Sequence, residues 1–276
     1  MGNRVEDEPP LKKARGRGVF TEPGKGRIHV ATWVPEEGER VKVYVDELPA
    51  AQDDTMVFEG PGHMEYVPVR RKDQRCCFYV SGNSGSGKST WIANCLKKLI
   101  KMSPQKETWL FSSIRDYDPV YMSKGKPMLK KVDYDTVPLH KIIPNDLITY
   151  KNGKSQGCIA VFDDYDGNEA GKTLQPLLVQ CMREGRKLGQ DIFMVSHNAR
   201  DFLRTRDVIV QASTFVTFPA QNRIAMIKLA QNYWDMDKEQ IKEHMMDLPV
   251  RSPFYFLAHN RYPKTIVTSD RVIVMR

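Results

Sequence analysis

The segment Gly82–Ser89, GNSGSGKS, is the feature that most constrains how this chain folds. It satisfies the pattern G-x-x-x-x-G-K-[ST] at every defined position. An apolar run, Cys76–Val80, precedes it, and a helical stripe follows it at Ile92, Cys95, Leu96 and Leu99. A strand, a glycine-rich turn and a helix N-terminus in this order direct successive backbone N–H groups at an anion. The segment therefore predicts a phosphate-binding loop.

A loop of this kind predicts a nucleoside triphosphate with Mg²⁺ as its ligand. The Lys88 ammonium group can reach the β and γ phosphates, and the Ser89 hydroxyl can complete the coordination of the metal. The expected nucleotide-binding residues are Gly82, Asn83, Ser84, Gly85, Ser86, Gly87, Lys88, Ser89 and Thr90. ATP and Mg²⁺ are the predicted cofactors.

Apolar runs alternate with helical stretches from Cys76 onward, a pattern typical of a parallel sheet covered by helices. The predicted strands are Cys76–Val80, Thr108–Phe111, Cys158–Phe162, Ile192–Val195, Phe215–Phe218 and Phe254–Leu257, with a final hairpin of Thr265–Val267 and Val272–Met275. We expect a P-loop NTPase fold of the α/β class, with three α/β/α layers and a mainly parallel central sheet. One additional strand is expected between the phosphate-loop strand and the strand that ends at Asp163.

The 276 residues are enough for one large α/β domain with a modest extension. Residues 1–25 contain a Pro/Gly-rich basic cluster and are predicted to form a disordered tail. Alternating segments such as Val41–Val45 predict a small β-rich module over residues 26–72. Residues 73–276 are predicted to form the ATPase domain.

Two acids follow the apolar run Cys158–Phe162 directly. A triphosphate site needs a carboxylate for its metal at the carboxyl end of a neighbouring strand, and Asp163 fits that position. Asp164 is placed to orient or deprotonate a water molecule. An ordinary helix cap or turn is the alternative interpretation of this pair.

Polar residues also end the run Ile192–Val195, and two arginines lie late in the helical stretch Leu174–Leu188. Ser196 or His197 would face the γ-phosphate if this strand lies between the phosphate-loop strand and the strand that ends at Asp163. Arg183 and Arg186 lie off the apolar stripe of their helix, and arginine can stabilise the charge of phosphoryl transfer. Loop chemistry and the helix dipole explain the same residues without a catalytic role.

The chain carries a formal charge of +8, from 42 basic and 34 acidic residues. Part of this excess is local, in the segments 12–17, 124–131 and 151–154. These clusters are either solvated surface or contacts to a polyanion such as DNA. The sequence has no apolar run of about 18 residues and no secretory signal, so neither a membrane span nor export is expected. The five cysteines lie in apolar segments, which predicts reduced core thiols.

The order of these motifs resembles the genome-packaging ATPases of large double-stranded DNA viruses, the poxvirus-like branch of the FtsK/HerA superfamily. The likeness runs from Cys76 to about Leu257. The motifs that carry it are the phosphate loop, VFDD at 161–164, REGR at 183–186, MVSHN at 194–198, TRDVIV at 205–210 and FVTFP at 215–219.

This resemblance implies an ATP-hydrolysing motor that drives viral DNA into a preformed capsid. It implies double-stranded DNA, capsid or portal-vertex proteins and further copies of this chain as partners, the copies forming a ring that is a pentamer or a hexamer. The expected location is an infected host cell, in the nucleus or a cytoplasmic virus factory, with association with the virion. By the same resemblance, Asp164 acts on water, Ser196 or His197 senses the γ-phosphate, and Arg186, with Arg183 second, is a finger between subunits.

Other functions stay open from the sequence alone. Asp164–Gly167 satisfies the D-x-x-G pattern of a GTPase switch, although Asn198–Asp201 lacks the lysine of a guanine-reading N-K-x-D motif. A nucleotide kinase would also use the phosphate loop. A DNA-binding structural protein with a vestigial loop is the non-enzymatic alternative.

Overall fold

The structure is a computed structural model, which describes residues 18–47, 52–70, 75–112, 118–133, 139–163, 169–197, 206–246, 248, 252 and 254–276. The strands in chain order are β1 (Val19–Phe20), β2 (Arg27–Pro35), β3 (Val41–Asp46), β4 (Asp54–Val57), β5 (Gly62–Tyr66), β6 (Cys77–Ser81), β7 (Glu107–Phe111), β8 (Met122–Ser123), β9 (Lys126–Pro127), β10 (Lys130–Lys131), β11 (Tyr150–Lys151), β12 (Lys154–Ser155), β13 (Cys158–Phe162), β14 (Asp191–Ser196), β15 (Thr214–Thr217), β16 (Leu257–Asn260), β17 (Thr265–Thr268) and β18 (Arg271–Val274). The α-helices are α1 (Lys88–Met102), α2 (Glu169–Leu188), α3 (Arg206–Ile209), α4 (Pro219–Tyr233) and α5 (Lys238–Ile241). Short 3₁₀ turns cover Pro119–Tyr121, Leu139–Lys141 and Pro144–Leu147, and a π-helical turn covers Lys242–Met246.

The chain divides into two compact units, residues 1–67 with 262–276 and residues 68–261. This division differs from the predicted one, because residues 262–276 group with the first unit. The reason is strand pairing, since β18 pairs antiparallel with both β17 and β4. The predicted tail also differs, because Val19 and Phe20 form β1 and pair with β3.

The first unit is built from antiparallel strands, in the order β1-β3-β2-β5 in one set and β17-β18-β4 in the other. Its core includes the fully buried Val30, Val43 and Val45. Asp54 is buried and accepts the backbone N–H groups of Gly18 and Val19, each at 3.0 Å. Burying a carboxylate without hydrogen-bond partners is costly, so these two bonds stabilise the position of β1 beside Asp54.

The second unit contains a sheet with the strand order β10-β7-β13-β14-β6-β15-β16. Neighbouring strands are parallel throughout, except that β16 runs antiparallel to β15. All residues of β6, β13, β14 and β15 are buried, which explains their continuous apolar runs. The predicted fold class is confirmed, and β14 is the additional strand expected between β6 and β13.

The chain direction fixes the layers of this unit. The connection from β6 to β7 contains α1 and crosses the sheet in one direction, whereas the connection from β13 to β14 contains α2 and crosses in the other. Because crossovers between parallel strands are right-handed, α1 and α2 cover opposite faces. This arrangement gives the three α/β/α layers.

A buried charge cluster lies at the amino end of β14. The Asp191 carboxylate is fully buried and accepts the Cys76 N–H at 2.8 Å and the Lys106 ammonium group at 2.7 Å. It also accepts the Arg70 guanidinium group. Two cations and a backbone donor therefore compensate one buried acid, as the desolvation cost of such a group requires.

All five cysteines are free and buried, as expected of core thiols. Burial raises the pKa of Cys77 and of Cys158 to about 12, because the thiolate form loses its hydration. Among the helices of the described residues, none is both long enough and apolar enough to cross a membrane.

Candidate functional site

The segment between β6 and α1 is curled tightly. Gly85 and Gly87 have φ angles of +75° and +93°, which L side chains rarely adopt, and Ser86 N–H donates to the Asn83 carbonyl at 3.2 Å. A Cβ atom on Gly82 would lie 2.8 Å from Ser86 Oγ, so this close approach requires glycine. Ser86 is fully buried, and its hydroxyl has no hydrogen-bond partner among the described residues.

Helix α1 begins at Lys88 in a way that favours an anion. Its N-cap, Gly87, supplies no side-chain cap, and its first turn contains no acidic residue. The N–H groups of a first helical turn have no intrahelical acceptors, and the helix dipole adds partial positive charge there. An orphaned hydroxyl, an uncapped helix start and a glycine curl together fit a polyphosphate.

The Lys88 side chain lies across this loop. It is only 7% exposed, and its ammonium group donates to the carbonyls of Gly82 at 2.6 Å and Asn83 at 3.0 Å. The same nitrogen lies 3.4 Å from Nδ1 of His197. Ser89 is half-buried and Thr90 is exposed on the first turn of α1. The predicted loop residues therefore lie together.

Asp163 lies at the same edge of the sheet as the loop. Ser196 pairs in register with Ser81, and the Gly82 N–H donates to the Ser196 carbonyl at 3.2 Å. Asp163 follows β13 directly, and its N–H donates to the Phe111 carbonyl at 2.8 Å. With β14 between them, the strands that lead into the loop and into Asp163 are two strand spacings apart, about 10 Å. An acid at this position can hold a metal that touches the terminal phosphates.

The parallel sheet carries a glycine loop with its lysine after β6 and an acid after β13. One strand, β14, is inserted between these two strands. This chain has a P-loop NTPase fold. Asp164, the predicted partner of water, lies outside the described residues.

His197 and Ser196 occupy different environments in this P-loop fold. His197 is half-buried, and its ring nitrogen lies near the Lys88 ammonium group. Ser196 is fully buried at the end of β14. The His197 side chain, that of one of the two predicted sensors, therefore lies beside a loop residue.

Arg183 and Arg186 are exposed on α2 and lie away from the loop of their own chain. Helix α2 leaves the carboxyl edge of the sheet after β13 and returns to the amino edge before β14. Arg183 is 14 residues into this helix, which corresponds to about 21 Å along its axis. The structure therefore does not bring these two arginines into the site around Lys88.

The glycine between these arginines has a packing role. A Cβ atom on Gly185 would lie 2.5 Å from Gln190 Oε1 and 2.6 Å from a nitrogen of Arg75. Arg75 donates to the carbonyls of Cys181 and Met182 near the end of α2. The close approach of Arg75 to α2 thus explains the glycine in this motif.

Sequence reasoning did not predict several residues that surround the loop. A cleft beside it is lined by Ser81, Gly82, Asn83, His197, Thr217, Phe218 and Met226. The hydroxyls of Ser81 and Thr217 are buried and have no hydrogen-bond partner among the described residues. Ser81 pairs in register with Thr217, so the strand alignment could have identified them once β15 was placed beside β6.

The chain has remote relatives. No protein-family model matches it. An uncharacterized protein, V3 of Sputnik virophage, is 25% identical over 206 residues, which cover 72% of this chain and 78% of that protein.

The chain is also similar to solved structures of an NTPase and of an ATPase. The genome packaging NTPase B204 of Sulfolobus turreted icosahedral virus 2, in complex with AMPPCP, has 14% sequence identity and a TM-score of 0.45, over 72% of this chain and 98% of that one. The cytoplasmic domain of the type VII secretion ATPase EccC of Thermomonospora curvata has 14% identity and a TM-score of 0.48, over 89% of this chain and 28% of that one. A viral genome-packaging NTPase is therefore among the proteins this chain resembles, as the motif order predicted.

Proposed function

We propose that this chain is an ATPase motor that moves double-stranded DNA and packages a viral genome into a preformed capsid. The observation that carries the enzymatic part is the pairing of a Lys88-covered glycine loop with an acid, Asp163, at the same edge of the sheet. The viral part rests on the order of the motifs and on the relative in a virophage.

Each residue of the site has a proposed role in hydrolysis. Lys88 and the first turn of α1 bind and orient the β and γ phosphates, since they supply an ammonium group and backbone N–H groups at one place. Ser89 and Asp163 would hold Mg²⁺, which when bound neutralises charge on the phosphates. Asp164 follows Asp163 directly and prepares the attacking water. His197, beside Lys88, senses the state of the γ-phosphate.

Two lysine-bearing hairpins support a polyanionic partner. Strands β8 and β9 are joined by Lys124-Gly125, and β11 and β12 by Asn152-Gly153; each of these residues has φ between +51° and +74°. Turns of this kind match the twist of two-residue hairpins. The lysines next to the turns are exposed, and none of them forms an ion pair among the described residues: Lys124, Lys126, Lys151 and Lys154.

Both hairpins lead into the amino ends of strands, at the edge of the sheet opposite the phosphate loop. The first precedes β10, where Thr108 Oγ1 donates to the Met128 carbonyl at 2.8 Å. The second precedes β13, whose first residue pairs with the first residue of β7. We propose that these ammonium groups bind the phosphodiester backbone, which requires no reading of base sequence.

The exposed Arg183 and Arg186 support assembly from several copies. Because they lie far from their own loop, they are available to complete the site of a neighbouring subunit, where a guanidinium group stabilises the charge of phosphoryl transfer. We propose a ring of five or six subunits that docks on capsid or portal-vertex proteins in an infected cell.

Measuring ATP turnover with and without duplex DNA tests this function, for the parent chain, Lys88→Ala and Asp164→Asn. We expect turnover that DNA stimulates in the parent and that falls by at least about 100-fold in both variants. If DNA does not change the rate of turnover, the protein is a nucleotide switch or a kinase instead of a motor. A strong preference for GTP over ATP would select the switch, and DNA binding that survives Lys88→Ala without any turnover in the parent would select a structural protein.

A further inference from the structure

Phe254 is an exposed aromatic residue in contact with the phosphate loop. Its side chain belongs to a residue that is 62% exposed, yet its Cδ1 atom lies 3.2 Å from the point where a Cβ on Gly87 would be. Single exposed apolar residues are common on protein surfaces and need no explanation. What distinguishes Phe254 is that its ring covers the last glycine before Lys88.

A second, buried ring also approaches Gly87. Phe218 is 3% exposed, and its Cε1 atom lies 3.9 Å from the same point at Gly87. Its Cδ2 atom lies 3.0 Å from the corresponding point at Gly82. The loop therefore has an aromatic wall, formed by one buried ring and one exposed ring.

Hydrogen bonds and packing fix the backbone that carries Phe254. Its N–H donates to Ser252 Oγ at 3.1 Å, and the next N–H, of Tyr255, donates to the Ser252 carbonyl at 3.0 Å. Tyr255 and Phe256 are buried, and the Phe256 ring lies 6.3 Å from the Trp91 ring of α1. The exposed ring is thus anchored to the helix that begins at the loop.

The sheet order gives the direction in which a bound nucleotide runs. Asp163 follows β13, on one side of β6, whereas Phe218 follows β15, on the other side. Asp163 would hold a metal that neutralises charge on the terminal phosphates, so that end of the ligand is placed toward β13. The nucleoside end must then lie toward β15, where the two aromatic rings are.

We propose that Phe254 is the stacking platform for the base of the bound nucleoside triphosphate, with Phe218 as the buried part of the same aromatic wall. This assignment rests on the proposed nucleotide binding and adds the residue that holds the base. Stacking uses the face of a ring and reads no hydrogen-bonding edge, so it favours purines without separating adenine from guanine. Selection between the two bases would need polar groups elsewhere.

The experiment compares binding of ATP, GTP and inorganic tripolyphosphate to the full-length parent, Phe254→Ala and Phe254→Trp. We expect Phe254→Ala to weaken ATP and GTP by a similar factor of about 10 and to raise the KM for ATP while kcat changes little, because the chemistry lies at the far end of the ligand. Tripolyphosphate, which has no base, should bind equally to all three proteins. Phe254→Trp should restore the affinity for ATP.

Ile224→Ala is the matched control, since Ile224 is a 71% exposed apolar residue on α4. Loss of tripolyphosphate affinity in Phe254→Ala would overturn the proposal, because the ring would then act on the loop itself. Unchanged affinity for all three ligands would also overturn it, and a changed oligomeric state with unchanged affinity would assign Phe254 to a subunit contact. Failure of the nucleotide site as a whole is distinguishable, because Lys88→Ala would then leave ATP and tripolyphosphate binding unaffected.

Discussion

The ammonium nitrogen of Lys88 and Nδ1 of His197 lie 3.4 Å apart, which joins the end of β14 to the phosphate loop. An ammonium group can only donate, so a hydrogen bond between the two would have Nδ1 of His197 as its acceptor. If His197 senses the γ-phosphate, as proposed, it does so from beside the lysine that binds the same phosphate.

Replacing His197 by alanine should slow ATP turnover by roughly 100-fold, the usual effect of removing one donor to a reacting phosphate or carbonyl group. The KM for ATP should change little, because Lys88 and the loop still bind the phosphates. His140→Ala is the control, since His140 is exposed on a short 3₁₀ turn. Steady-state kinetics on both variants make the comparison, and equal turnover in the two would remove His197 from the mechanism.

Gly87→Ala should destabilise the protein and abolish ATP binding. At φ +93° an alanine is strained, and its Cβ would also press on Phe254 at 3.2 Å. We expect a loss of about 1–3 kcal/mol in the free energy of unfolding. Gly125→Ala is the control, because its φ of +74° carries similar strain while nothing lies within 4 Å. Denaturant unfolding should show a smaller loss for Gly125→Ala, and ATP binding should survive in it.

The buried Asp191 should contribute far more to stability than a surface ion pair. Asp191→Asn leaves Lys106, whose side chain is 8% exposed, and Arg70 without their carboxylate, and we expect a loss of about 3–5 kcal/mol. Glu107→Gln is the comparison, because its partner Lys130 has a side chain that is 61% exposed. That change should cost less than about 1 kcal/mol. Similar midpoints of urea unfolding for both variants would contradict the structural role given to Asp191.

Removing the hairpin lysines should weaken DNA binding without affecting the phosphate loop. For Lys151→Ala combined with Lys154→Ala, we expect lower affinity for duplex DNA and a slope of log K against log salt that is shallower by about 2. ATP turnover without DNA should equal that of the parent. The control pair is Lys238→Ala with Lys242→Ala, two exposed lysines on and just after α5. If the control pair lowers the salt slope equally, the hairpins have no special place in DNA binding.

The site was predicted best where a motif of defined spacing lies next to a strand that is buried on both faces. The glycine loop has a defined spacing, and β6, β13 and β14 are continuous apolar runs because both faces of the sheet are covered. Strand β13 has the predicted bounds, and those of β6 and β14 differ from the predicted ones by one residue at each end. An additional strand was also predicted between the loop strand and the Asp163 strand, and β14 occupies that place.

Other elements could not be predicted so well, for identifiable physical reasons. Helix α4 was missed because its apolar residues do not form one stripe. The strand predicted at Phe254–Leu257 was wrong by three residues, since β16 covers Leu257–Asn260. This strand contains buried polar residues, so its sequence lacks a continuous apolar run. Asn260 accepts a hydrogen bond from Thr214 Oγ1 at 3.0 Å, and the rings of His259 and Trp234 stack with their centroids 4.9 Å apart.

The hairpin at Asn152-Gly153 was missed although its signal is visible, because Asn-Gly between short extended segments is a strong marker of a two-residue turn. The aromatic wall at the loop had no such signal. Phe218 and Phe254 lie far apart in the sequence, and only the pairing of β15 with β6 and of β16 with β15 brings them to the same glycine.

Strand β14 has a consequence for how this fold can be altered. It is hydrogen-bonded to β6 on one flank and to β13 on the other, so it works as a spacer with a fixed width. The gap between the lysine and the acid is therefore set by backbone geometry, independent of any side chain in the gap. Substitutions along β14 can change what fills that gap, whereas its width would change only if a strand were gained or lost.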